Sequence, residues 1–202
     1  LLSVFSGVMG AQIMIPPKNK IIKAGTFLQS KTHLNVMDAV TSGTSTGLFI
    51  CLNVVATLIV MLSLVFLLNS FLSVFPSFGR DTLSLQQIFG FFLAPLMWFT
   101  GMNWSEALIT GGLMGTKTVF NEFIAFINLS KIDTGVLSER TKLICVYALS
   151  GFANFGSLGI MVMGLTSLAP SRRQEILELG PKSLVSGTLA TLLTAAVIGL
   201  II

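Results

Sequence analysis

Residues 39–79, 143–171 and 183–202 contain no charged side chain, and this constrains the fold more than any other feature of the sequence. Each stretch is long enough to contain the roughly 20 apolar residues that carry a helix across about 30 Å of hydrocarbon. Charged residues make up 10% of the 202, against about 25% in soluble domains. A soluble helical protein needs polar faces at a spacing of 3.6, which these stretches lack. A transmembrane β-barrel needs short alternating segments of about ten residues, which are also absent. The expectation is an all-α integral membrane protein with several crossings. No His/Cys or Ser/His/Asp grouping, P-loop, HExxH or dinucleotide motif is present.

Against this background, Lys117-Thr118-Val119-Phe120-Asn121-Glu122-Phe123 puts a lysine and a carboxylate inside an apolar run. An ionisable group at the centre of a spanning helix costs roughly 2.5–3.5 kcal/mol on insertion scales, so a chain keeps one that faces a cavity, a partner or a substrate. Glu122 is the first site candidate. On a continuous helix Lys117 and Glu122 would point about 140° apart. A loop at 115–117 would let them pair, so the internal ion pair and the ligand-facing carboxylate both stand at this point.

The net charge of +4 does not indicate nucleic-acid binding, since the basic residues are not interleaved with aromatics. They cluster instead as Lys18, Lys20, Lys23 and Lys31, and as Arg172, Arg173 and Lys182, which the positive-inside rule assigns to the cytoplasm. Residues 1–15 are expected to be the tail of a transmembrane helix whose start is missing, and Pro16-Pro17-Lys18 to end it. Asn35 to Gly43 starts as a short helix, and residues 47–72 form the first full span. Pro76 and Gly79 with Arg80-Asp81 mark a turn. Residues 83–101 carry Pro95, with Trp98 and Trp104 flanking the following turn as aromatics do at an interface. Residues 104–129 follow, then a span over 143–169 broken by glycines, and a last span over 183–202. Topology requires an even number of crossings between 72 and 143. Two crossings satisfy it. A re-entrant hairpin over 104–129, folded back at Met114-Gly115-Thr116, satisfies it better, with 83–101 along or within the interface.

Paired Gly-interrupted segments point to a transporter's substrate site, because half-helix ends present free N–H and C=O groups there. Gly111, Gly112, Gly187 and Gly199 read as close helix packing. Between Gly151 and Gly159 the functional reading is stronger, because Asn154 and Ser157 lie there. Their spacing puts both on one face if the segment is helical. Glu122 accepts hydrogen bonds only, which suits vicinal hydroxyls. Asn121 is expected to bond helix ends, and Phe152 is either an aromatic contact or one more packed ring among sixteen Phe. Cys51 and Cys145 read as small apolar core residues, and His33, Asp38, Asp81 and Asp133 as solvated. No metal spacing is present.

At these residues the chain resembles the concentrative nucleoside transporter family of cation-coupled symporters. Gly115-Thr116-Lys117-Thr118-Val119-Phe120-Asn121-Glu122-Phe123-Ile124-Ala125 is similar to the family's G-T-K-x-x-x-N-E-F-[VI]-A signature. Ala148 to Ile160 resembles its A-L-C-G-F-A-N-x-x-S-I-G-I segment, and Leu168 to Arg173, Gly187 to Ala196 and Asn35 to Gly47 follow in the family's order. The resemblance implies a C-terminal portion of a bacterial inner-membrane symporter. Residues 104–129 become a re-entrant hairpin, 143–169 a broken transmembrane helix, and 47–72 a scaffold element at a homotrimer interface. It also implies that Glu122, Asn154 and Ser157 contact the ribose of a nucleoside, with Phe152 as aromatic partner and Thr116, Lys117 and Asn121 beside them. The family's Q-T-E hairpin and the helix that helps hold the coupling Na+ or H+ have no counterpart here, so no cofactor site is expected in this chain. Thr44-Ser45-Thr46-Gly47 and Pro16-Pro17-Lys18 depart from the family pattern away from the ribose contacts. The 202 residues alone are expected not to transport. A membrane enzyme with Glu122 as general base is the other class considered, and it lacks an acid, a nucleophile and a metal set.

Overall fold

The computed structural model describes residues 2–16, 34–75 and 82–202. The Lys-rich segment around Lys18, Lys20, Lys23 and Lys31, with His33, and the turn from Pro76 to Asp81 lie outside the described residues. Among the described residues the architecture is all-helical, with α1 (Leu2–Met14), α2 (Val36–Leu72), α3 (Leu85–Phe99), α4 (Trp104–Val119), α5 (Glu122–Ser130), α6 (Glu139–Leu149), α7 (Phe155–Leu168) and α8 (Arg173–Ile201). The core gathers around α4, where Met97, Met114, Ile144, Cys145, Leu149 and Ala195 are fully buried.

Two helices, α2 and the stretch Pro170–Ile201, are long and apolar enough to cross a membrane by length and composition. Both start earlier than the sequence predicts. The segment that reads as a short helix ending at Ser42-Gly43 continues unbroken into α2. Asn35 caps it by accepting from the Asp38 N–H at 2.8 Å. The Thr41 and Thr44 hydroxyls then turn back onto the Met37 and Val40 carbonyls, which lets them sit inside the helix rather than end it. At the other end, α8 begins at Arg173 and carries Pro181 within it. Cys51 is exposed on α2, whereas Cys145 is the buried apolar residue the sequence predicts.

Within residues 83–101, α3 starts behind a capping box of Ser84 and Gln87. This helix lies against α4 through small residues four apart on each: Gly90 and Ala94 meet Gly111 and Gly115. A Cβ on Gly111 would come 2.7 Å from the Ala94 Cα, and one on Gly115 would come 2.7 Å from the Gly90 nitrogen and closer still to the Gln86 carbonyl. These glycines are therefore spent on helix contact. For that reason α4 runs straight through Met114-Gly115-Thr116, where the sequence predicts a fold-back, and breaks at Phe120–Asn121 instead.

Candidate functional site

Phe120 leaves helical geometry at φ −101° and ψ −91°, and Asn121 is extended at φ −165°. The Asn121 side chain accepts from the Ile124 N–H at 2.9 Å, so asparagine chemistry rather than glycine flexibility starts α5 here. Asn121 therefore bonds a helix end, as expected from its residue type. Glu122 is the first residue of α5, at the positive end of that helix's dipole.

A second break lies between α6 and α7, over residues 150–154. Asn154 is the N-cap of α7 and Ser157 its third residue. The Asn154 Oδ1 accepts from the Ser157 N–H at 2.6 Å, and the Ser157 Oγ accepts from the Asn154 N–H at 3.1 Å. The three-residue spacing is thus a capping box, and not two polar groups on one helical face as the helical reading has it. The Ser157 hydroxyl also donates to the Phe152 carbonyl, so it is already committed within the cap.

The two breaks meet. The buried Asn154 donates from Nδ2 to the Glu122 Oε2 at 3.2 Å. Glu122 is half-buried, and its Oε1 accepts no hydrogen bond among the described residues. The result is a carboxylate with free acceptor sites, set between the N-termini of α5 and α7 and oriented by an amide that the α7 cap holds in place. Such an arrangement accepts hydrogen bonds from hydroxyl donors. Phe152 projects from the second break and is 74% exposed within this chain. A cavity of about 960 Å³ lies on the other side of that break, lined by Ser150, Gly151, Phe152, Ala153, Ser157 and Thr191 among others but not by Glu122 or Asn154.

Lys117 and Thr116 direct their hydrogen bonds to groups other than Glu122 and Asn154. Thr116 donates back to the Gly112 carbonyl of its own helix at 3.0 Å. Lys117 is fully buried and donates to the Ala148 carbonyl at 3.1 Å and to the Thr191 hydroxyl at 3.4 Å. The ion pairs among the described residues are Lys142–Glu139 and Arg172–Glu175, so the Lys117–Glu122 pair that a loop would permit does not form. The reason is that α4 continues past Lys117 and turns the ammonium toward α6.

Not every glycine of the second break serves the site. Gly159 lies in α7, and a Cβ there would meet Thr57 of α2 at 2.6 Å, so it is a packing glycine. Sequence reasoning also missed Glu106. It is buried in the first turn of α4, and its carboxylate accepts from the Ser138 N–H at 2.6 Å and the Thr141 hydroxyl at 2.7 Å. The signal was present, since Glu106 is the acid that ends the charge-free stretch 82–105.

With this geometry established, the sequence profile described as "Na+ dependent nucleoside transporter C-terminus" matches residues 1–199. The chain belongs to that family. It is 39% identical over 201 residues to the Bacillus subtilis uncharacterized transporter YutK, covering 98% of this chain and 50% of that protein. It is 36% identical over 206 residues to the Helicobacter pylori nucleoside permease NupC, covering 100% of this chain and 49% of the permease. A solved structure of a CNTnw variant in an outward-facing state superposes with a TM-score of 0.83 at 35% identity, covering 98% of this chain and 49% of that one. An inward-facing, substrate-bound CNTnw gives a TM-score of 0.67 at 36% identity, with coverage of 96% and 47%. The chain therefore spans about half the length of these relatives. Its family is one of integral membrane transporters, not enzymes.

Proposed function

We infer that this chain is the ribose-binding half of a cation-coupled nucleoside symporter, working in the bacterial inner membrane as a homotrimer. The observation that carries the reading is the hydrogen bond from Asn154 to Glu122, which joins two helix breaks at one carboxylate. A ribose offers vicinal hydroxyls, and a carboxylate with unused lone pairs accepts from both. Phe152 supplies an exposed aromatic face beside them. Ser157 joins the contact by exchanging its bond to the Phe152 carbonyl for one to the ligand.

Residues 104–129 act as a re-entrant hairpin in this reading. The lengths support it: at about 1.5 Å per residue, α4 spans roughly 24 Å and α5 roughly 14 Å, each short of a complete crossing. Interrupted backbone at membrane depth is tolerated where protein or a water-filled cavity covers it. The long exposed α2 serves as the scaffold element between protomers. The nucleobase contacts and the site for Na+ or H+ come from the remainder of the carrier. The cation gradient drives uptake, including about 2.3 kcal/mol per charge per 100 mV of membrane potential.

Uptake of labelled uridine by the full-length carrier tests the assignment. Glu122→Gln and Asn154→Ala are each expected to abolish saturable uptake at normal membrane abundance. Wild-type uptake in both variants would remove the site.

A further inference from the structure

Lys117 makes no ion pair with Glu122, yet it is the largest fully buried side chain of the described structure, and burying an ammonium needs a reason. Its partner gives the reason. Ala148 is the penultimate residue of α6, so its carbonyl is one of those that the helix end leaves without an internal donor. The ammonium fills that vacancy at the negative end of the α6 dipole. Its second partner, Thr191 of α8, uses its own hydroxyl hydrogen on the Thr188 carbonyl at 2.9 Å and so presents only a lone pair to Lys117.

The other end of the same helix pair is matched in the opposite sense. Glu106, in the first turn of α4, accepts from the N-cap Ser138 of α6 and from Thr141 in its first turn. An acid therefore meets the positive end of α6 and a base meets its negative end, and both come from α4. The two helices run in the same direction, with the two contacts about 16 Å apart along the axis. Lys117 stands just before the break that delivers Glu122, and Ala148 stands just before the break that delivers Asn154.

We propose that Lys117 is a positioning residue: by capping the end of α6 it sets where both helices stop, and so holds Glu122 and Asn154 within hydrogen-bond distance of each other. Gly151 is required by the same contact, since a Cβ there would collide with the Thr191 methyl and stand 3.6 Å from the Lys117 Nζ. The proposal rests on the nucleoside reading for one of its two readouts and is independent of it for the other.

The experiment uses the purified full-length carrier with three substitutions, Lys117→Met, Thr191→Val and Glu106→Gln. Amide hydrogen exchange over residues 146–157 needs no ligand. It is expected to accelerate about tenfold or more in Lys117→Met, the scale for losing a hydrogen bond from a charged donor. Thr191→Val is expected to shift it less, in the same direction. Glu106→Gln is expected to loosen residues 138–141 and leave 146–157 as they are. The second readout is the ratio of apparent affinities for uridine and 2′,3′-dideoxyuridine, which should fall in Lys117→Met and hold in Glu106→Gln. Exchange unchanged in Lys117→Met overturns the proposal. Faster exchange with the wild-type affinity ratio also overturns it, since the ammonium then stabilises the fold without aligning the site. Should Lys117→Met fail to fold, Thr191→Val carries both measurements. A wild-type carrier that does not distinguish the two nucleosides sinks the ribose reading instead, and the exchange data then decide the capping role on their own.

Discussion

Asn154 Nδ2 lies 3.2 Å from Glu122 Oε2, although the two residues belong to different helix breaks, and the same Asn154 accepts from Ser157 to cap α7. One amide therefore couples the start of a helix to the orientation of a carboxylate. Its oxygen caps the helix and its nitrogen holds the carboxylate.

That division of labour separates two substitutions. Asn154→Asp keeps an N-cap acceptor but sets a second carboxylate against Glu122, whereas Asn154→Ala removes both functions. Thermal unfolding of Asn154→Ala should show a loss of about 1 kcal/mol, the usual cost of an N-cap. Asn154→Asp should retain most of that stability and still lose nucleoside uptake. Equal uptake by Asn154→Asp and wild type would show that the amide nitrogen has no role in the site.

Ser157→Ala breaks the other half of the capping box and frees the Phe152 carbonyl. A destabilisation of about 0.5–1.5 kcal/mol is expected from the lost hydrogen bond. Uptake should fall further than stability, because the hydroxyl that would turn to the ligand is lost and the Phe152 backbone loses its anchor. Unchanged unfolding temperature in Ser157→Ala would contradict the cap geometry.

Gly151→Ala should be strongly destabilising, because its Cβ would run into the Thr191 methyl. Overpacking of this kind costs about 1–3 kcal/mol. Thr191→Ser deletes that methyl and keeps the hydroxyl that Lys117 uses, so adding it should restore much of the loss. A double-mutant cycle in denaturant measures the coupling. Strict additivity would show that the two side chains do not meet.

The glycines of α4 should divide by contact. Gly115→Ala is expected to disrupt packing on α3, because its Cβ meets backbone atoms of Gln86 and Gly90 that have no way to yield. Gly112→Ala meets nothing within 4 Å and should stabilise the helix by up to about 1 kcal/mol. Unfolding of the two variants side by side checks this, and a reversed order would place α3 elsewhere.

The residues that gather at the two breaks are legible in the sequence. Glu122 stood out by the cost of its charge in an apolar run, and Asn154 and Ser157 by their place among glycines. What the spacing did not tell was their use. The three-residue interval that suits a shared helical face also suits a capping box, and only the extended backbone at Asn154 (φ −148°) decides between them. Gly115 likewise looked like a hinge and proved to be a contact, because a glycine's freedom and its small size leave the same mark in a sequence.

Local hydropathy and ordered motifs suffice for the helical, membrane-adapted class, the approximate order of segments and the family. Packing in three dimensions sets where α4 ends, which partner Lys117 takes and the direct hydrogen bond from Asn154 to Glu122. Those outcomes depend on contacts between residues far apart in the chain, 31 positions from Lys117 to Ala148 and 32 from Glu122 to Asn154. The energy of such a contact is set by how α4, α6 and α8 pack, and no local pattern along the chain encodes it.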